Sequence, residues 1–258
     1  TKKNRKTALN GLFFCCKIAC MKYFIITYGC QANKSDSERI SFLFEKNGGS
    51  AAPSLERANL IVVNACSVRQ SAVDRIWGQT KRFAKLKARN KKLKTVLTGC
   101  VLKKDKNKFN RHFDFILDIK NLQNWPKIIQ KKSAGAIQPR PLNYNADYLN
   151  IQPKYQTNFK AFIPISTGCN NFCAYCAVPY TRGLLECRDH QEILKEARHL
   201  ITNSYKEIWL LGQNVNNYSS PSDTSFNFAK LLDAVNGIKG DFWVRFTSPH
   251  PKDFTDGF

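Results

Sequence analysis

The sequence predicts an α/β protein of two modules. The first is an N-terminal open parallel α/β sheet domain, and the second is the opening part of a (β/α) barrel, reached through a linker. Three observations predict it. Strand-like and helix-like segments alternate along the 258 residues, which implies a parallel sheet with helices on its faces. The charge divides near residue 160: residues 1–160 carry 32 basic and 9 acidic side chains, and the remainder 9 and 10. Cysteines recur just after successive predicted strands.

In the first module, Lys22 to Thr27 (KYFIIT) reads as a strand from its aromatic and β-branched content. Ser35 to Asn47 reads as a helix, with Ser35 and Glu38 as a capping box, Ile40, Leu43 and Phe44 as its apolar stripe, and Gly48-Gly49 as its end. Asn59 to Asn64 (NLIVVN) reads as a buried strand. Val68 to Leu86 is a helix with Val73, Ile76 and Trp77 on one face. Lys94 to Thr98 and Asp114 to Asp118 read as third and fourth strands, followed by a short helix near Pro126 to Lys131. Residues 132–159 hold three prolines and little periodicity, the marks of a linker.

The second module repeats the rhythm. Ala161 to Ser166 is a strand, His190 to Thr202 an amphipathic helix, Glu207 to Leu211 a strand, Phe226 to Val235 a helix and Phe242 to Thr247 a strand. The 99 residues from 160 onward hold roughly three βα units at ~30 residues each. A full barrel takes ~250 residues, so the module is expected to be truncated. The organisation is then 1–20 as leader or upstream sequence, 21–131, the linker 132–159, and 160–258. Residues 1–20 precede the only methionine, Met21, and their Cys15, Cys16 and Cys20 receive no role.

Composition excludes several classes. Hydrophobic residues at 43% exclude wholesale disorder, and no run nears the ~18 apolar residues of a membrane span. A formal charge of +22 favours a polyanionic partner, with a lysine-rich solvated face as the alternative. The densest stretch holds Lys81, Arg82, Lys85, Lys87, Arg89, Lys91, Lys92 and Lys94 without an acid. Ten cysteines so spaced suit metal or cluster ligands in a reducing compartment, the cytoplasm, better than disulfides.

Cys30, Cys66 and Cys100 each follow a predicted strand. Ligands of open α/β sheets bind outside the carboxyl ends of the strands, so three parallel strands deliver three thiols to one edge. Three thiolates suit an iron–sulfur cluster with one open iron, or zinc with a fourth ligand. Cys169, Cys173 and Cys176 form C-x3-C-x2-C in one loop, able to hold three corners of a cubane. A zinc ribbon would pair C-x2-C with a second such pair, and none follows. Cys187, eleven residues on, is the one candidate fourth ligand.

TYGCQANKSDSE (Thr27–Glu38), NACSVR (Asn64–Arg69), TGC (Thr98–Cys100), STGCNNFCAYCAVPYTRG (Ser166–Gly183), LLGQNVNNY (Leu210–Tyr218) and RFTSPHPKDF (Arg245–Phe254) together carry a resemblance. Over residues 21–258 the chain resembles the radical S-adenosylmethionine methylthiotransferases, in the branch that acts on isopentenyladenosine of tRNA. The resemblance implies a radical-SAM partial TIM barrel and two 4Fe–4S clusters. Cys169, Cys173 and Cys176 would hold the cluster that chelates S-adenosylmethionine and generates a 5′-deoxyadenosyl radical. Cys30, Cys66 and Cys100 would hold the auxiliary cluster that supplies sulfur. The substrate would be C2 of the modified adenosine at position 37, beside the anticodon, in a tRNA anticodon stem-loop. Tyr175 would pack near the adenine of S-adenosylmethionine, and Gln213 and Asn214 would line its site. A flavodoxin or ferredoxin would donate electrons to a monomeric, membrane-free enzyme.

The chain departs from the family pattern after Arg182-Gly183, where Leu184-Leu185-Glu186-Cys187-Arg188 stands for x-E-x-S-R, with Leu185 at the acidic position and Cys187 for serine. The family's C-terminal RNA-binding domain is not in this sequence. Alternatives are action on threonylcarbamoyladenosine tRNA or a ribosomal protein, a metal-stabilised RNA-binding module, and a catalytically incomplete cluster-binding fragment.

Overall fold

The computed structural model describes residues 21–130, 136–137 and 146–254. The first module runs β1 (Lys22–Tyr28), α1 (Gln31–Lys46), β2 (Ser50–Ala51), β3 (Leu60–Cys66), α2 (Gln70–Arg89), β4 (Lys94–Cys100), α3 (Lys103–Phe109), β5 (Phe115–Ile116), α4 (Trp125–Gln130) and β6 (Ala136–Ile137). Its six strands lie parallel in the order β2-β1-β3-β4-β5-β6. The unbroken LIVV run of β3 follows from burial on both faces. Ile61, Val63 and Ala65 pack with Val73, Ile76 and Phe83 of α2. Leu60 and Val62 pack on the other side with Ile40 and Phe44 of α1 and with Trp125 and Ile129 of α4.

Within this sheet the path enters at β1 and then proceeds to both sides of it, so the connections diverge between β1 and β3. In an open α/β sheet that is where a ligand crevice forms. Cys30 lies just past β1, and Cys66 and Cys100 end β3 and β4 as register partners.

The second module runs β7 (Lys160–Pro164), β8 (Ser166–Thr167), α5 (Val178–Thr181), β9 (Glu186–Cys187), α6 (His190–Thr202), β10 (Glu207–Leu211), α7 (Phe228–Asn236) and β11 (Trp243–Phe246). β7, β10 and β11 form a parallel sheet with β10 central, and β8 pairs antiparallel with β9. Ala161, Ile163, Ile208 and Leu210 meet the apolar stripes of α6 and α7, including Ile193, Ala197, Leu200, Phe228 and Leu231.

Several expectations need correction. α1 begins at Gln31, and its capping box is Cys30 with Asn33, not Ser35 with Glu38. Ser35 and Glu38 are buried because α1 turns that face to the second module. Ser35 Oγ donates to the Phe162 carbonyl (3.3 Å), and Glu38 Oε1 accepts from the Gln156 backbone (3.3 Å). Trp77 is 37% exposed, lying over Phe109 and His112 rather than beside Val73 and Ile76 in the core. β2, α3, β6, α5 and β9 appear where no element is expected, and the expected strand Ala161–Ser166 is divided between β7 and β8. The stretch 132–159 lies partly outside the described residues. Its described end is packed rather than free: Tyr148 and Leu149 are 1% exposed in the first module's core. Residues 1–20, with Cys15, Cys16 and Cys20, lie outside the described residues.

Burial of α1 against the second module has a titration consequence. Desolvation pushes the Glu38 carboxyl up to about 7 from 4.5, opposed by the Gln156 N–H, Arg39 and Lys34 and reinforced by Glu196. Its Oε2 lacks a hydrogen-bond partner, so nothing at that oxygen offsets the desolvation of the charged form. A carboxyl whose folded pKa is raised binds its proton more tightly when folded. Its contribution is therefore full below about pH 4.5 and lost as pH rises through 7. Urea unfolding of wild type and Glu38→Gln across pH 4–8 should show wild type losing roughly 2–3 kcal/mol relative to the variant over that range. Parallel curves would refute the raised carboxyl.

Candidate metal centres and cofactor site

The first thiol trio is organised by buried amides. Cys30 caps α1, and its backbone N–H donates to Asn33 Oδ1 (3.3 Å). Asn33 Nδ2 donates to Asn64 Oδ1 (2.9 Å), and Asn64 Nδ2 returns bonds to the Asn33 carbonyl (2.8 Å) and Ser37 Oγ (3.0 Å). Both asparagines are fully buried, so the Cys30 turn is tied to β3 by satisfied polar groups. Gly99 adopts φ +99°, and a Cβ there would collide with the Ala65 carbonyl. Only glycine lets β4 pass β3 this closely just before Cys100.

The thiols differ in environment. Cys30 is exposed, Cys66 half-buried and Cys100 buried. A hydrogen bond from the Cys100 thiol brings Cys66 down to about 6 against the opposing effect of burial, with the Arg182 charge assisting. Cys100 is pushed well above the usual thiol range, by that same bond and by burial. Cys66 is thus the readier thiolate of the pair. Among the described residues no three His, Cys, Asp or Glu side chains are gathered to hold a single metal ion. A four-iron cubane takes its thiolates at separate corners, so three thiols along one sheet edge fit a cluster in donor type.

The second trio lies in the loop after β8. Gly168, at φ +79°, opens it, and a Cβ there would strike the Leu184 and Gly183 carbonyls. The Gly168 N–H donates to Gln213 Oε1 (2.6 Å), the Cys169 N–H to the Gly183 carbonyl (3.1 Å), and the Cys176 N–H to the Cys173 carbonyl (2.8 Å). Gln213, expected at the cofactor site, therefore fastens the loop to the end of β10. Asn214 is 1% exposed and donates through Nδ2 to Asp253 Oδ2 (2.6 Å), leaving Oδ1 without a partner. Ser166 Oγ and Asn171 Nδ2 are also buried and unpartnered. Unsatisfied polar atoms at this strand edge fit a site built for a polar ligand such as S-adenosylmethionine. Tyr175 is 89% exposed, standing off the loop where it can cover a ligand.

Two residues escaped sequence reasoning. His250 Nε2 lies 3.7 Å from Cys173 Sγ. Its Nδ1 accepts from the Lys252 N–H (3.2 Å), which puts the proton of the neutral ring on Nε2, facing the sulfur. Asn216 holds the His250 backbone at both N–H and carbonyl (2.8 and 2.9 Å). Arg182 donates from Nε to Cys100 Sγ (2.9 Å) and from Nη2 to Asp36 Oδ2 (2.7 Å). Burial disfavours the guanidinium charge, but Asp36 and then Cys100 outweigh it.

The basic stretch takes a different place. Lys81, Arg82, Lys85, Lys87 and Arg89 occupy the C-terminal half of α2, and Lys91, Lys92 and Lys94 lead into β4. α2 runs back against the strands, so these residues lie at the opposite sheet edge from the cysteines. Twenty residues of helix span ~30 Å. Arg82 pairs with Glu56 (2.5 Å) and Lys87 with Asp114 (2.8 Å), while Lys94 Nζ bonds the Ile129 carbonyl. Lys81, Lys85, Arg89, Lys91 and Lys92 are exposed.

The departures from the family pattern receive positions too. Glu186 Oε1 pairs with Lys120 Nζ (2.7 Å), joining the modules. Cys187 ends β9, pairs with Ser166 and packs against the second module's core. Burial raises its thiol pKa, opposed by the Ser219 backbone. A thiol turned into a core is a poor ligand. Cys187→Ser should leave iron per chain unchanged after anaerobic reconstitution and cost less than about 3 kcal/mol of stability, the range for a buried hydroxyl. Loss of about half the iron would make Cys187 a ligand of a closed cluster.

Comparison with known proteins agrees with this geometry. The uncharacterized protein family UPF0004 matches residues 22–118, and the radical SAM superfamily matches residues 163–253. The chain is similar to tRNA-2-methylthio-N(6)-dimethylallyladenosine synthase of Pelodictyon phaeoclathratiforme, 38% identical over 90% of this chain and 54% of that protein. It is equally similar to the proteins of that name from Dictyoglomus thermophilum and Clostridium botulinum, each 38% identical over 91% of this chain and 54% of theirs. The chain spans about half the length of these curated relatives. Among solved structures it is distantly similar to the radical S-adenosylmethionine methyltransferase TsrM of Kitasatospora setae, at 9% identity and a TM-score of 0.48, over 76% of this chain and 48% of that one. Both family models match in order, one over each module, and together with these relatives they support a methylthiotransferase of the radical S-adenosylmethionine type.

Proposed function

We propose that this chain carries the two cluster-bearing modules of a tRNA methylthiotransferase that modifies C2 of N6-dimethylallyladenosine at position 37. The observation that carries the reading is the pair of thiol trios, one at the carboxyl ends of three parallel strands and the other in the single loop after β8, in two modules docked through α1. The relatives' name supplies the substrate. When bound, the two 4Fe–4S clusters and S-adenosylmethionine supply the electron, the 5′-deoxyadenosyl radical, the sulfur and the methyl group.

The protein's part is placement. Cys169, Cys173 and Cys176 hold one cluster in a loop pinned by Gly168, Gln213 and the Gly183 carbonyl. Cys30, Cys66 and Cys100 hold the other, through the Asn33–Asn64 pair. Asn214, Ser166 and Asn171 offer polar atoms to the S-adenosylmethionine site, and Tyr175 covers it. Lys81, Arg82, Lys85, Lys87, Arg89, Lys91, Lys92 and Lys94 form a remote phosphate-contacting surface for tRNA, with Lys81, Lys85, Arg89, Lys91 and Lys92 the most accessible. A flavodoxin or ferredoxin is the proposed electron source. Among the described residues no helix is long and apolar enough to cross a membrane.

Anaerobic reconstitution should give about eight irons per chain, and about four after Cys169, Cys173 and Cys176 are all changed to Ala. Iron and sulfide analysis reads this directly; complete loss of iron in the triple variant would end the two-site reading.

For tRNA, the slope of log K against log salt should fall by roughly 0.7–0.9 for each phosphate contact removed. Charge reversal at Lys81, Lys85, Arg89 and Lys91 tests it. An unaltered slope would leave that surface as a solvated helix face.

A further inference from the structure

The modules meet through a small set of buried charges, and one of them reaches a thiol. Arg182 follows α5, in the segment that closes the Cys169–Cys176 loop, and its neighbour Gly183 accepts the Cys169 N–H. Its side chain leaves that module. The guanidinium is 5% exposed, pairs with Asp36 of α1, itself 2% exposed, and places Nε 2.9 Å from Cys100 Sγ. A cation this close to a ligand sulfur, in surroundings this dry, is little screened.

We propose that Arg182 is a positioning residue of the Cys30–Cys66–Cys100 cluster, holding the Cys100 sulfur from the opposite module and setting that cluster's reduction potential by its charge, with Asp36 as counterweight. The inference rests on the two-cluster reading above. Hydrogen bonds to cluster sulfurs and local net charge are the protein's levers on potential. A guanidinium favours the reduced, more negative cluster and so raises the potential, while Asp36 opposes it. The same contact makes correct docking of the modules a condition for seating Cys100.

The sign separates this role from a purely structural one. In the intact protein lacking Cys169, Cys173 and Cys176, the auxiliary cluster is the only iron. EPR-monitored redox titration of that protein should give a lower midpoint potential for Arg182→Gln and a higher one for Asp36→Asn, at about four irons per chain. Unchanged potentials in both, or shifts in the same direction, would overturn the inference. Should Arg182→Gln lose its iron, Asp36→Asn decides: a rise supports the charge role, and no change or a fall overturns it. A parent triple variant without iron would refute the two-cluster reading itself, an outcome visible before either substitution is compared.

Discussion

Helix α1 is covered on both sides, and the rest of the structure depends on how its polar face survives burial. One stripe, Ile40 and Phe44, packs under the first sheet. The other, Ser35, Asp36, Glu38 and Arg39, is sealed against the second module and the segment leading to it. Arg39 is fully buried, donating to the Leu149 carbonyl through Nε and Nη2 (3.2 and 3.1 Å) and to Ser35 Oγ (2.6 Å), with Glu196 3.7 Å away. Asp36 meets Arg182. Removing one partner of a buried pair costs about 3–5 kcal/mol, whereas the intact pair adds little to net stability. Such pairs act through specificity: two apolar faces could slide, but Asp36 accepts Arg182 in one orientation only. The consequence is a fixed relation between two cysteine-bearing strand edges.

At each edge a glycine precedes a buried cysteine and removes a side chain that would block a backbone approach. Gly99 does this before Cys100 and Gly168 before Cys169. Each edge also has an N–H directed at a sulfur from far along the chain, Arg182 at Cys100 and His250 at Cys173. The donors differ in kind. The guanidinium carries a permanent charge, whereas the histidine offers a single ring N–H whose place the Lys252 N–H fixes. The two thiol sets therefore sit in different fields although their ligands are alike.

Much of this was legible in the sequence because parallel strands buried on both faces leave dense apolar runs, as in Leu60–Val63, and because amphipathic helices such as His190–Thr202 repeat with their own period. The cysteines were legible as strand-end residues. What escaped has a common cause. SDSER resembles a solvated helix start, and only burial against a module more than 100 residues away reverses that. The Arg182–Asp36 pair spans 146 positions, beyond any local pattern. Two-residue strands such as β8 and β9 are too short to show periodicity, yet they set Cys187 against the second module's core. Trp77 was misplaced because a helical stripe gives direction and not depth: it lies at the rim, over Phe109.

Under the proposed function, the separation of basic stretch and thiols would constrain how RNA is read. Phosphate contacts orient a nucleic acid without identifying its bases. On the proposed function, a lysine surface at one sheet edge would hold a stem while the opposite edge, roughly one length of α2 away, would hold the chemistry. The modified adenosine would then be chosen by shape and contacts near Cys30, Cys66 and Cys100, where Val68 is exposed and Lys103 and Lys104 open α3. Recognition and reaction would thus be divided along the strands of one sheet, and the strand direction that brings the thiols together also carries the lysines away from them.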